Sequence, residues 1–151
     1  MNKIKNLFLL IAAALTFAAC ENGHENNLPN NPNHKECYEG KMVVDQNDGS
    51  FYEQNSVEVD YEIYDGKINF AMYKVKFASG MPLKLDMVVE GVDFEENDGV
   101  YTLSADGIVP YAMGGPFEQF TITQLTGEIT ETTMTLDFLC GEYPVTYSGS
   151  K

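Results

Sequence analysis

Twenty-three acidic residues against nine lysines give this 151-residue chain a formal net charge of −14, and it has no arginine. Nucleic acid is a poor partner for it, because phosphate neutralisation needs clustered cations, and planar Arg forks for carboxylate or phosphate ligands are absent. Two histidines and three cysteines leave few groups for nucleophilic or zinc chemistry.

Residues 1–19 have the parts of a bacterial export signal. Lys3 and Lys5 supply a positive start, and Leu7 to Ala19 is apolar apart from Thr16. At ~1.5 Å per residue this run falls short of a hydrocarbon core of ~30 Å, so a cleavable signal is expected rather than a membrane helix. Phe17-Ala18-Ala19-Cys20 closes it. A large apolar residue, two small ones and a cysteine resemble the lipobox of bacterial lipoproteins, with Phe17 where Leu is usual. The resemblance implies that Cys20 is the lipidation site and the first mature residue. Its acyl chains would give a stable membrane anchor, since two or more chains hold where one does not. Ordinary cleavage near Ala19, with simple secretion, is the alternative. Glu21 follows the cysteine rather than Asp. By analogy with known sorting, the expected address is the cell envelope at the outer membrane, on its periplasmic or surface face.

Glu21 to Glu36 reads ENGHENNLPNNPNHKE, with six Asn, two Pro and one aliphatic residue. Such a composition cannot bury enough surface to order itself. Residues 20–36 are therefore expected to be a tether, reaching about 22 Å as a flexible chain. Both histidines, His24 and His34, fall within it.

From Tyr38 onward the hydrophobic period is two. SVEVDYEIY places Val57, Val59, Tyr61 and Ile63 on one face against Glu58, Asp60 and Glu62. LKLDMVV and TMTLDFL repeat the pattern with Leu83, Leu85, Met87 and Val89, then Met134, Leu136 and Phe138. One dry and one wet face indicate antiparallel strands. KINFAMYKVKF is apolar on both faces for part of its length. Turn chemistry separates the runs: Asp65-Gly66 reads as a two-residue hairpin turn, and Asn-Asp-Gly recurs in expected loops at 45–56 and 93–99. Strands are predicted at 38–45, 56–64, 67–77, 82–92, 100–106, 118–129, 133–139 and 143–149, with a bulge near Leu125 to Gly127. Eight short-looped strands predict an all-β, eight-stranded antiparallel up-and-down barrel, which leaves no open edge. A β-sandwich is the alternative.

Tyr38-Glu39-Gly40 on the first strand and Val145-Thr146-Tyr147-Ser148-Gly149 on the last resemble the edges of the calycin-like (lipocalin-like) β-barrel domain of bacterial lipoproteins. The likeness covers about residues 37–149 of the expected domain 37–151 and extends to the leader and tether. The Gly-x-Trp motif of true lipocalins is missing, since the chain has no tryptophan. The resemblance implies a barrel and supplies no activity.

No histidine lies beyond residue 36, so His-dependent triads and zinc sites have no base or ligand there. No Gly-rich phosphate loop is present. The expectation is no enzyme activity, no metal and no cofactor. The acidic loop Asp93 to Gly99 lacks the spacing of an EF-hand and reads as a solvated turn. Cys37 and Cys140 should not pair: a strand of ~26 Å would separate them, and a bridge needs Cα atoms within ~7 Å. What remains is the barrel interior, which in eight strands is either filled or holds one small ligand. Its expected lining is Tyr61, Phe70, Met72, Leu85, Met87, Tyr101, Leu103, Phe120, Met134, Phe138 and Tyr147. Pro110 to Pro116 is a candidate lid or plug. The functional expectation is an anchored barrel that binds a small apolar or amphipathic ligand. The alternative is a non-catalytic module, its core filled, that contacts a protein or glycan.

Overall fold

The computed structural model describes residues 37–151; the leader, Cys20, His24 and His34 lie outside them. Ten strands are present among the described residues: β1 (Tyr38–Asp45), β2 (Phe51–Tyr64), β3 (Lys67–Val75), β4 (Leu85–Asn97), β5 (Val100–Ala105), β6 (Tyr111–Ala112), β7 (Gly115–Pro116), β8 (Ile122–Ile129), β9 (Thr133–Cys140) and β10 (Tyr143–Ser150). One 3-10 turn, Glu118–Phe120, precedes β8. No α-helix occurs among the described residues.

Every pairing is antiparallel, and eight strands close on themselves in the order β1-β2-β3-β4-β5-β8-β9-β10. The ring is sealed where β1 meets β10, with Gly40 opposite Gly149 and Met42 opposite Tyr147. This is the expected up-and-down barrel. Alternation sends Met134, Leu136, Phe138 and Cys140 of β9 inward, while Thr133, Thr135 and Asp137 face water. β10 does the same with Val145 and Tyr147 inside and Thr146 and Ser148 outside. An apolar interior with a polar wall is the reverse of an outer-membrane barrel, whose apolar band faces lipid.

Strand bends are pinned by polar side chains. Lys74 and Gln124 take positive φ (57° and 53°), where the ladder registers slip. Their displaced N–H groups are caught by Asp86 Oδ1 and Asp106 Oδ1 at 2.9 Å each. In β4 the bulge falls at Gly91, whose N–H donates to buried Asn69 Oδ1 at 2.8 Å. Bulges of this kind add the local twist that lets a sheet close.

Several expectations need correction, and strand three ends at Val75 rather than at residue 77. Strand two begins at Phe51, five residues early, because Phe51 to Asp45 and Gln54 to Met42 pair with β1 without an apolar alternation. Strand four begins at Leu85 and runs to Asn97. The acidic loop thereby shrinks to the turn Asp98-Gly99, both at positive φ, and Leu83 lies outside the strand at 58% exposure. Residues 118–120 form the 3-10 turn instead of strand, and the bulge near Leu125 sits at Gln124. Finally, Pro110 to Pro116 is neither lid nor plug. It folds as the β6–β7 hairpin around Met113-Gly114 and pairs with β4 through Met87–Ala112 and Val88–Tyr111. It patches the wall where β5 has already left β4, since β5 pairs only with Asp93 to Asn97.

Candidate functional site

The eleven interior candidates converge on one cluster. Phe70, Met72 and Met87 have no exposed surface, and Leu85, Leu103, Phe120, Met134, Phe138 and Tyr147 are also buried. Each fully buried side chain of this size contributes about 1.5–3 kcal/mol relative to exposure. Their neighbours Met42, Val44, Val59, Ile68, Val75, Val89 and Ile122 are equally sealed. The middle of the barrel is thus occupied by its own side chains. Tyr61 and Tyr101 differ: they pack against the cluster but keep part of their surface in solvent.

That difference reflects height along the barrel. One end, here the proximal end, carries the start of β1, the β2–β3, β4–β5 and β8–β9 turns, and the end of β10. At this end Tyr38, Tyr61, Tyr101 and Phe94 form a continuous run of rings, with centroids 6.3, 6.2 and 5.4 Å apart. Successive planes are inclined by 36°, 64° and 89°. Burial beside Tyr38 and Tyr101 pushes the Tyr61 hydroxyl pKa up. Tyr38 Oη donates to Thr130 O at 2.6 Å. Tyr147 Oη lies 3.1 Å from Tyr38 O and 3.0 Å from Val57 O, its one proton tying β10 to β1 or β2. Its ring fits because Gly149 lacks a Cβ, which would stand 2.2 Å from that oxygen.

The distal end is shut by Phe77, Phe117 and Phe120, with centroids 5.3 and 5.1 Å apart. Gln46 Nε2 donates to Val44 O and Phe77 O across the gap. Phe120 was foreseen inside the barrel. Phe77 and Phe117 were not: Phe77 falls in the predicted third strand, which ends earlier at Val75, and Phe117 sits in an irregular connection. At the proximal end Tyr38 and Phe94 were likewise missed; the bulge at Gly91 shifts the inward positions from Leu85, Met87 and Val89 to Val92 and Phe94, so a strict alternation does not reach Phe94.

Outside the barrel, Asp93, Ser104, Ala105, Asp106, Gln124, Leu125 and Thr126 line an open groove on the wall. Its carboxylates have structural duties: Asp93 pairs with Lys67, and Asp106 holds Gln124. No group of three or more His, Cys, Asp or Glu fit for a metal ion occurs among the described residues. Cys37 and Cys140 are not bridged to one another and lie at opposite ends of the barrel. Burial, aided by Asp60 and Glu58, pushes the Cys37 thiol up to about 12, and burial raises Cys140 as well. Both are held protonated at neutral pH, and a thiol is a weak nucleophile compared with a thiolate.

The structure therefore defines a closed antiparallel barrel with a packed middle and one partly solvated aromatic end. Comparison with known protein families, curated proteins and solved structures returned no match.

Proposed function

We propose that this chain is a lipid-anchored cell-envelope protein whose calycin-like barrel serves as a non-catalytic interaction module. The packed interior carries the second half of that reading. A ligand held inside would have to displace Phe70, Met72 and Met87, which have no exposed surface. The aromatic proximal end then becomes the surface where recognition of a protein or glycan takes place. The anchor rests on Phe17-Ala18-Ala19-Cys20 and its lipobox resemblance, and the proposed address is the outer membrane.

A second reading keeps the barrel as carrier of a small apolar or amphipathic molecule. Its support is the Met and aromatic chemistry of the interior and the solvent-reachable Tyr61 and Tyr101 at one mouth. Native mass spectrometry of the protein isolated from its own envelope separates the two. The module reading expects the bare acylated mass; a retained lipid-sized ligand would establish the carrier. Metabolic labelling with a fatty-acid probe tests the anchor. Label should enter the wild type and be lost in Cys20→Ala, and equal labelling of both would refute it.

A further inference from the structure

The proximal end combines two features that select for one kind of partner. Tyr61, Tyr101 and Phe94 are each partly exposed, and Ile63, two residues beyond Tyr61 on β2, is 47% exposed. Glu96 stands directly across from Tyr101 in the β4–β5 ladder, so its carboxylate is on the same face as the rings. Asp65, Asp98 and Glu131, all exposed, occupy the three turns that rim this end. Aromatic faces are negative at their centres, and cations within about 6 Å of a centroid are attracted to them. Surrounding carboxylates deepen that potential. One cation of this chain already uses the arrangement: Lys151 Nζ sits 4.9 Å from the Tyr38 ring centroid.

Other occupants fit less well. A sugar ring stacks on a flat exposed face, whereas these rings tilt against one another by 36° to 89°. An anionic lipid surface would be repelled by the carboxylate rim. We propose that the proximal end of the barrel is a docking surface for a lysine- or arginine-rich segment of a partner protein. The inference rests on the interaction-module reading and specifies its partner.

Hexalysine titrated calorimetrically into the full chain in detergent tests it. Glu96→Gln combined with Asp98→Asn should weaken binding about tenfold. Glu118→Gln with Glu142→Gln removes the same charge at the distal end and should change affinity less than twofold. Tyr101→Leu, checked for folding by circular dichroism, should cost about two- to fivefold. Equal losses in the two double variants would mean diffuse attraction to an acidic protein and would overturn the proposal, as would absence of binding. Binding of chitohexaose or of zwitterionic vesicles at Tyr61 and Tyr101 in place of hexalysine would overturn it too, while leaving a module that recognises something else. A retained apolar ligand in native mass spectrometry would instead remove the underlying reading.

Discussion

At the scale of single residues, the seam of the barrel is fixed by what is missing from two side chains. Gly40 and Gly149 face each other, and a Cβ on Gly40 would lie 2.0 Å from Ser148 O. That oxygen is backbone and cannot rotate away. Gly40→Ala should therefore force β1 from β10 and cost about 3 kcal/mol or more. Gly80→Ala, where nothing lies within 4 Å, should be nearly neutral; urea midpoints followed by circular dichroism will show the contrast. Buried acids set the response to alkali. Burial raises the Tyr147 and Cys140 pKa values, and Cys37 reaches about 12. An acid whose folded pKa is raised keeps its proton longer folded than unfolded. Its stabilising effect is complete below the unfolded pKa and is lost as pH rises towards the folded one. Stability should be level with respect to these groups below about pH 8.5 and fall progressively above it, through the cysteines first and through Tyr147 from about pH 10, read from urea midpoints at stepped pH. Tyr147 is an expected lining residue and is buried. Local patterning carries no sign that its hydroxyl reaches Tyr38 O and Val57 O, because those contacts join residues 109 and 90 apart.

At the scale of elements, the strands whose faces differ cleanly were the legible ones. β1, β5, β9 and β10 lie within a residue of expectation, and each carries an inward–outward alternation over much of its length. The failures share a cause: backbone pairing continued where side-chain patterning had stopped. Phe51–Asn55 and Asp93–Asn97 are polar and exposed for most of their length. They are strands because β1 and β5 offer their N–H and C=O groups a partner, and a polar backbone group must be paired or wet. The β6–β7 hairpin was read as loop because two strands of two residues carry no period. Its role is to cover the β4 edge at Met87 and Val88. Replacing Tyr111–Pro116 with a short Gly-Ser link should uncover that edge and promote edge-to-edge association. Light scattering coupled to size exclusion should then report oligomers at concentrations where the wild type gives none.

At the scale of the whole molecule, the barrel was legible from eight runs and their short connections. The fullness of its interior was not. Whether eight strands enclose a space depends on side-chain volumes summed around a closed ring, and on end closures such as Phe77, Phe117 and Phe120 that come from outside the regular strands. The Met and Phe content that suggested a ligand is equally the content of a packed core. The β1–β10 seam has a further consequence, in time rather than in space. The first strand finds its second partner only when the last strand has been made, so closure is the longest-range event in the chain. Topologies dominated by such contacts fold slowly, and until closure both β1 and β10 present open edges. Joining residue 151 to residue 37 by a short linker, and opening the chain at Asp65-Gly66, would make that seam a local hairpin. The permutant should keep the native circular-dichroism spectrum while the pairing that was last becomes available early. Stopped-flow refolding of the two chains would show whether the wait for the final strand sets the rate at which this barrel forms.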